Sequence, residues 1–282
     1  MCVNHLSIVL TTYARRDVIQ RFFESLCAQT CRDFSVVLGD QNDADVLASL
    51  ISKYEKKFSL LRVPLPRMSL SGARNALLPY AEGDFVALAD DDCYYLPTTV
   101  EQLFQARQST PEAAAFIGTM LPSPPEKPLP SGVSLCSRYS VCRKAPSWCL
   151  FIKKSLLHKI GDFDPDMGIG APGPWQSAEE TDVLVRIILA GDKVYRAKGV
   201  GVCHDPHNLC SVQVVHRAYL YGMGRMYLLH KHRFPLWFTF LNILFPCAQM
   251  PLVFFKSGWL GVRYCLATLK GRWHGFHVCR KQ

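Results

Sequence analysis

After Asp205 the chain contains no Asp or Glu. Residues 206–282 carry ten Lys/Arg and therefore +10, whereas residues 1–205 set 22 Lys/Arg against 23 acids and sum to −1, which together return the net +9. An unopposed positive stretch suits an anionic surface, either nucleic acid or the cytoplasmic leaflet of a membrane. The sequence also lacks a nucleic-acid-binding motif, which leaves the membrane as the favoured surface. No CxxC pair occurs among the twelve cysteines, so a structural zinc is not expected. The cysteines are scattered singly, and no secretory signal precedes the first apolar run, Leu6-Ser7-Ile8-Val9-Leu10. They read as reduced, mostly buried thiols of a cytoplasmic protein. Hydrophobic residues at 49% and charged residues at 20% exclude disordered and fibrous chains. A length of 282 residues buries a sizeable core in one large domain or two small ones.

Residues 1–110 alternate short apolar runs with helical patterns. Strands are expected at 6–10, 34–38, 60–63 and 85–89, with helices at 17–28, 43–54 and 71–80 between them. This βαβα rhythm predicts an α/β fold with a mostly parallel, Rossmann-like sheet and helices on both faces. Ligands of such sheets bind beyond the carboxyl ends of the strands. Thr11-Thr12-Tyr13 follows the first strand, Asp40 the second, and Asp90-Asp91-Asp92 the fourth. Gly72-Ala73-Arg74-Asn75 opens the intervening helix, where backbone N–H groups and a guanidinium can meet a phosphate. Singly, Thr12 and Asp40 read as turn or cap residues and Arg74 as a surface ion pair. Converging on one sheet edge, they read as a nucleotide site.

The three carboxylates repel one another unless a cation neutralises them. Alternation along a strand puts Asp90 and Asp92 on one side and Asp91 on the other. Two carboxylates on one side suit Mg²⁺, which takes one or two protein carboxylates and fills its other positions with water and phosphate oxygens. The competing reading is a solvated acidic turn.

A helix is expected at 98–108 and an apolar strand at 113–120, followed by five prolines within residues 121–130, which mark a loop. Ser147-Trp148-Cys149-Leu150-Phe151-Ile152 reads as a strand and residues 153–160 as a helix. Trp175, in a Gly/Pro-rich stretch, reads as an exposed stacking platform or a loop anchor. Ser177-Ala178-Glu179-Glu180-Thr181-Asp182 heads an amphipathic helix running to about Ala190. Ser177 with Glu180 fits a capping box, and acids favour a first helical turn. The functional alternative is a general base. His204, after Val200-Gly201-Val202-Cys203, is either a core or surface histidine or a metal ligand or base.

Residues 212–233 look helical, and residues 234–255 are 22 residues without a charge. That length permits a bilayer span. Pro235, Pro246 and Pro251 are expected to break it, and basic groups on both flanks give no sidedness. Broken helices lying in the membrane interface are the expectation, ahead of a re-entrant hairpin or a span.

These motifs together resemble family 2 glycosyltransferases of the GT-A fold. The resemblance rests on Ser7-Ile8-Val9-Leu10-Thr11-Thr12-Tyr13, Gly72-Ala73-Arg74-Asn75, Gly83-Asp84-Phe85 with Asp90-Asp91-Asp92, Gly161-Asp162-Phe163-Asp164, and Glu179-Glu180-Thr181-Asp182 running to Ala190-Gly191. It covers about residues 5–205. It implies inverting sugar transfer from a UDP- or GDP-linked donor, with Mg²⁺ or Mn²⁺, to a hydroxyl of a saccharide or lipid-linked acceptor in cell-surface polysaccharide synthesis. Thr12, Tyr13 and Asp40 would hold the nucleoside, and Arg74 the base or diphosphate. Asp91 would join this donor group. Asp90, Asp92 and His204 would hold the metal, Glu180 or Glu179 with Asp182 would supply the base, and Trp148 and Trp175 would face the acceptor. The sequence departs from the pattern at Thr11, where the family has Pro, at Gln41, where a second acid is usual, and at Glu180, where the pair is usually Glu-Asp.

Three segments are therefore expected: a nucleotide-sugar-binding half at 1–110, an acceptor-binding half at 111–205, and basic, apolar membrane-associating helices at 206–282. The last would contact anionic lipid of the inner leaflet and place the protein, peripheral or monotopic, on the cytoplasmic face. Two other readings compete. A nucleotidyltransferase would need a basic phosphate loop after the first strand, and Thr11-Thr12-Tyr13-Ala14 offers none. A non-catalytic membrane or nucleic-acid module would have no use for Asp90, Asp92 and Glu180.

Overall fold

Residues 5–13, 16–43, 45–143, 145–205 and 212–281 are described by the computed structural model. Ala14, which follows the expected first strand in sequence, and Ala44, within the helix expected at 43–54, lie outside the described residues. The chain divides into two compact units, Met1–Phe163 with Val183–Pro206, and Asp164–Asp182 with His207–Gln282. Both expected catalytic halves thus contribute to one unit, and residues 164–182 group with the tail.

The first unit is built on strands β1 (Leu6–Thr12), β2 (Phe34–Asp40), β3 (Ser59–Pro64), β4 (Phe85–Asp90), β5 (Cys93–Tyr95), β6 (Ala113–Leu121), β7 (Val133–Leu135), β8 (Leu150–Lys153) and β9 (Lys193–His204). They form one sheet in the order β3-β2-β1-β4-β8-β6-β9-β5, with β7 beside β9. The first four strands pair in parallel, as the βαβα rhythm requires. β6 and β9 are also parallel, while β4–β8, β6–β8, β5–β9 and β7–β9 are antiparallel. The sheet is therefore mixed, and its parallel character is concentrated in the first half. Phe85 to Ala89 are buried throughout, as a strand covered on both faces must be. Gly83 is required before it: a Cβ there would lie 2.6 Å from the His5 carbonyl oxygen. Its N–H donates to Ser7 Oγ at 2.8 Å, which ties the start of β4 to β1.

Helices α1 (Arg16–Cys27), α2 (Ala48–Tyr54), α3 (Leu70–Leu77), α4 (Thr99–Ser109) and α5 (Lys154–Ile160) complete this unit, and α6 (Glu179–Leu189) begins in the second unit and ends in the first. α2 is shorter than the expected 43–54, because residues 45–47 form a turn before it. α3 ends at Leu77, and Pro79 confines the next three residues to a single 3₁₀ turn. Ser147–Cys149 is likewise a 3₁₀ turn, so the expected strand starts only at Leu150. The three-residue strands β5 and β7 carry no periodic pattern and were not expected.

The second unit holds α7 (Val212–Lys231) and α8 (Leu236–Cys279). Glycines let them meet closely: a Cβ on Gly271 would lie 2.0 Å from the Tyr219 carbonyl oxygen. α8 is the one helix among the described residues long and apolar enough to cross a membrane by length and composition. The expected proline breaks do not occur. Pro235 caps α8, Pro246 and Pro251 lie inside it, and the non-helical residue is Gly258. The ten cysteines among the described residues are free thiols, seven of them buried.

Candidate active site

Parallel register carries the polar groups of the first unit to a common edge. Thr12 lies opposite Asp40, and Thr11 opposite Asp90. The residues expected to converge there do so, but each is held by a specific partner. Thr12 is buried and its Oγ1 donates to Asp91 Oδ2 at 2.8 Å. Asp91 is therefore turned into the protein. The separation of Asp91 from its neighbours was expected from strand alternation, but β4 ends at Asp90 and the other two acids stand in a turn. Asp40 is buried and accepts from Asn42 N–H at 3.0 Å, Asn42 Nδ2 at 2.7 Å and Arg62 Nε at 2.8 Å. It is neither a free turn residue nor an open acceptor. Tyr13 is exposed, with the Arg67 guanidinium 4.1 Å from its ring centroid.

Arg74 is not a surface ion pair. It is 1% exposed, the largest fully buried side chain among the described residues, and Nη2 donates to Asp90 Oδ1 at 3.2 Å. α3 starts before the Gly-Ala-Arg-Asn motif, with Ser69 as its cap accepting from Gly72 N–H. Arg74 thus stands in the helix body and holds Asp90. Asn75 Nδ2 donates to the Phe163 carbonyl at 2.7 Å and Asn75 Oδ1 accepts from Phe163 N–H at 2.9 Å. This pair fastens the Gly-Asp-Phe motif to α3, and Phe163 lies under the Arg74 guanidinium. Asp90 also accepts from Ser147 Oγ at 3.2 Å.

Asp92 and His204 form the second half of this edge. The β5–β9 pairing sets Cys93 opposite His204, which brings Asp92 Oδ1 to 3.0 Å from His204 Nε2. Nδ1 donates to the Asp205 carbonyl at 2.7 Å, and Trp148 stacks on the imidazole with centroids 5.0 Å apart at 17°. The hydrogen bond to Asp92 raises the His204 pKa above its ordinary value, against a burial that would lower it. Cis ligands of an octahedral cation at about 2.1 Å lie about 3 Å apart, so this carboxylate and imidazole fit as neighbouring ligands. An Nδ1–H donated to a carbonyl is also how ligating histidines are usually oriented. Among the described residues no three His, Cys, Asp or Glu side chains are gathered to hold a metal unaided. A cation here would draw its remaining ligands from water and a substrate phosphate.

The acidic head of α6 belongs to the second unit. α6 starts at Glu179 rather than after a Ser177 cap, so the expected capping box does not form. Ser177 Oγ instead donates to the Tyr221 carbonyl at 3.1 Å. Ala178 has φ +71°, a left-handed conformation that costs a residue with a Cβ. Glu179 is buried, whereas Glu180 is half-buried and accepts from Thr181 Oγ1 at 3.3 Å. Asp182 is fully buried, with Oδ1 2.8 Å from both Lys231 Nζ and His232 Nε2. Lys231 also binds Asp164 at 2.6 Å. Burial alone would lower the Lys231 pKa, but Asp182 and Asp164 outweigh it and hold it above the ordinary lysine value. Asp182, expected among the catalytic residues, is therefore committed to fastening α7.

Trp175 is buried and stacks on Tyr227 at 4.7 Å, so it is the loop anchor of its two readings. Tyr221, Gly224, Tyr227 and Lys231 lie three or four residues apart and present one stripe of α7 to this loop. Sequence reading missed Arg62, Ser147, Lys231 and His232. Arg62 carried a signal, a single cation inside an otherwise apolar strand. In the sequence Lys231 reads only as part of the basic tail.

Residues 7–166 match the model of the glycosyl transferase family 2. Protein CgeD of Bacillus subtilis is 29% identical over 118 residues, covering 39% of this chain and 28% of that protein. The Escherichia coli protein UDP-Glc:alpha-D-GlcNAc-diphosphoundecaprenol beta-1,3-glucosyltransferase WfaP is 26% identical over 95 residues, 34% of this chain and 38% of that protein. The chain thus spans well under half the length of either relative. Among solved structures, S. aureus TarS 1-349 superposes with a TM-score of 0.63 at 15% identity, over 98% of this chain and 87% of that one. The mannosyltransferase PcManGT from Pyrobaculum calidifontis, solved with GDP-Man and Mn²⁺, gives 0.63 at 17% identity, over 95% and 87%. These likenesses support the GT-A form of the mixed sheet. With more than half its length matched by the family model, the chain belongs to glycosyl transferase family 2.

Proposed function

We propose that this protein moves a sugar from a nucleoside-diphosphate donor, UDP- or GDP-linked, to a hydroxyl of a saccharide or lipid-linked acceptor, with inversion, at the cytoplasmic face of a membrane. The observation that carries it is the Asp92–His204 pair at 3.0 Å on the edge where Thr12, Asp40 and Asp90 end their strands. WfaP is named for glucosyl transfer to a diphosphoundecaprenol-linked sugar, TarS was solved with UDP-GlcNAc, and PcManGT with GDP-Man and Mn²⁺. All three support this choice of substrates.

In this proposal Asp92 and His204, with Asp90 beside them, hold Mg²⁺ or Mn²⁺, which when bound neutralises charge growing on the leaving diphosphate. Arg74 orients Asp90 through the hydrogen bond from Nη2. Thr12 fixes Asp91, and Asp40 with Arg62 braces the nucleoside side, leaving the exposed Tyr13 ring to meet the base. Trp148 supports the His204 ring. The acceptor hydroxyl must lose a proton as it attacks, and Glu180, the more accessible carboxylate of its pair, takes it, with Glu179 as the alternative. Calorimetry with UDP and GDP, each with Mn²⁺ and then with EDTA, tests the donor side. Equal nucleotide affinity in both conditions would sink the metal role. Incubation with a panel of nucleotide-sugars, scored by released nucleoside diphosphate, identifies the donor.

A further inference from the structure

A straight helix would hold Phe240 and Phe276 about 54 Å apart. Their ring centroids are 5.5 Å apart. Arg272 Nη1 donates to the Asn242 carbonyl, and a Cβ on Gly261 would lie 2.4 Å from Val253 Cγ1. The pairs 240 with 276, 242 with 272, and 253 with 261 nest around residue 257. α8 is therefore a helical hairpin, with arms 236–257 and 259–279 folded back on each other. The reversal is made by Gly258, at φ +61° and ψ −152°, a conformation open to glycine and strained for other residues.

The arms bury a narrow seam that includes Ile243, Pro246, Gly261 and Cys265. α7 packs on the second arm at Thr268, Gly271 and Gly275, the half away from the turn. Toward the turn the outer surface is apolar and exposed at Leu244, Phe245, Leu252 and Phe254. Phe255, 85% exposed, and Trp259, 75% exposed, are the most exposed large apolar side chains among the described residues. They flank the reversal. Lys256 and Arg263 are the nearest charges, and no acid occurs anywhere from residue 206 to the end of the sequence.

We propose that the turn of this hairpin is a lipid-docking tip for an anionic bilayer, which deepens the membrane-surface reading above and rests on it. Phe255 and Trp259 enter the boundary between headgroups and acyl chains, where aromatic side chains settle. Lys256 and Arg263 meet lipid phosphates. The depth is shallow, because Lys256 stands two residues from the turn and an ammonium is costly in hydrocarbon. The outward apolar surface without an acid is complementary to an anionic lipid layer, which interacts through both its interior and its charge.

Flotation of the full chain with phosphatidylcholine vesicles, with and without phosphatidylglycerol, tests this. Phe255→Ser with Trp259→Ser should weaken partitioning by on the order of 30-fold, since two half-buried aromatic side chains leave the lipid. Trp237→Ser with Trp273→Ser, at the other end of the arms, should change it about twofold or less. Lys256→Gln with Arg263→Gln should remove on the order of tenfold of the preference for phosphatidylglycerol and leave binding to neutral vesicles unchanged. Unchanged flotation of the Phe255/Trp259 variant overturns the tip. So do equal losses at both ends of the hairpin, which would mean that it lies flat. A wild-type chain that floats on no vesicle removes the membrane reading itself. Sedimentation velocity without lipid supplies the remaining arm: a dimer abolished by the tip substitutions would make a second copy the occupant and overturn the proposal.

Discussion

The acids at the strand ends and those at the head of α6 look alike in sequence. Each is a run with three carboxylates, Asp90, Asp91 and Asp92 in one unit and Glu179, Glu180 and Asp182 in the other. In each run one member is buried and fastened to a distant partner, Asp91 by Thr12 and Asp182 by Lys231 and His232. Another keeps some exposure, Asp92 in the first and Glu180 in the second. The partners differ in kind. Asp91 accepts from a hydroxyl, whereas Asp182 faces an ammonium and an imidazole. Under the proposed roles, each carboxylate cluster divides into a member that holds the fold and a member given to chemistry. Exposure distinguishes them, since Asp92 and Asp182 both meet an imidazole and only Asp182 is fully buried.

The sharpest way to break that division is at Asp92. Asp92→Asn should lower turnover by about 10³-fold, worth about 4 kcal/mol, because it removes charge stabilisation from the leaving diphosphate. Thermal stability should hardly change. Nucleoside diphosphate release, measured against Mn²⁺ concentration, checks it, and a variant that merely needs more Mn²⁺ still supports a ligand role. Full activity at every Mn²⁺ concentration would falsify it.

Glu180→Gln should lower kcat by about 10²-fold and leave donor affinity unchanged, as loss of a general base does. Glu179→Gln, measured alongside, separates the neighbours. If the buried Glu179 proves to be the one that matters, exposure is the wrong criterion in this cluster.

Much of this was legible beforehand, for identifiable reasons. Phe85 to Ala89 and the acids after it form one unbroken local pattern, and parallel pairing carries Thr12, Asp40 and Asp90 to the same edge without further information. Asp92 meets His204 only because Cys93–Tyr95 pairs with β9, and three residues are too few to show a period. The Lys231–Asp182 pair joins residues 49 positions apart across a helix whose charge pattern suggested only a basic surface. Trp175 is hidden for the same reason, since Tyr227 lies on α7. The prolines mislead because Pro246 and Pro251 read as breakers in the sequence, whereas both lie inside α8 and Gly258 makes the reversal.

The fastening role of Asp182 predicts a smaller, structural effect. Lys231→Met should cost about 2 kcal/mol of stability, less than a wholly buried pair because Lys231 is partly exposed. Its folded-state pKa is raised, so the pair's contribution is fully present below the unfolded lysine value of about 10.4 and is lost as pH rises through the folded one. Urea unfolding of wild type and variant at neutral pH should therefore differ, and the two should converge at strongly alkaline pH. A difference that stays constant with pH would mean that Lys231 contributes packing rather than charge.

The smallest effect is expected at Ala178, which joins the anchored loop to the acids of α6. Its φ of +71° costs a residue with a Cβ on the order of 1 kcal/mol, and glycine adopts it freely. Ala178→Gly gives back part of that gain through the greater entropy of the unfolded chain, so stability should rise by about 0.5 kcal/mol or less. The strain persists because Trp175 on Tyr227, Ser177 on the Tyr221 carbonyl, and Asp182 on Lys231 over-determine the backbone around it. If that strain aims Glu180, releasing it should lower kcat severalfold while leaving KM for the donor unchanged, so that stability and turnover move in opposite directions. If both stay at the wild-type value, Ala178 is a tolerated turn residue and the aim of Glu180 is set by α6 alone.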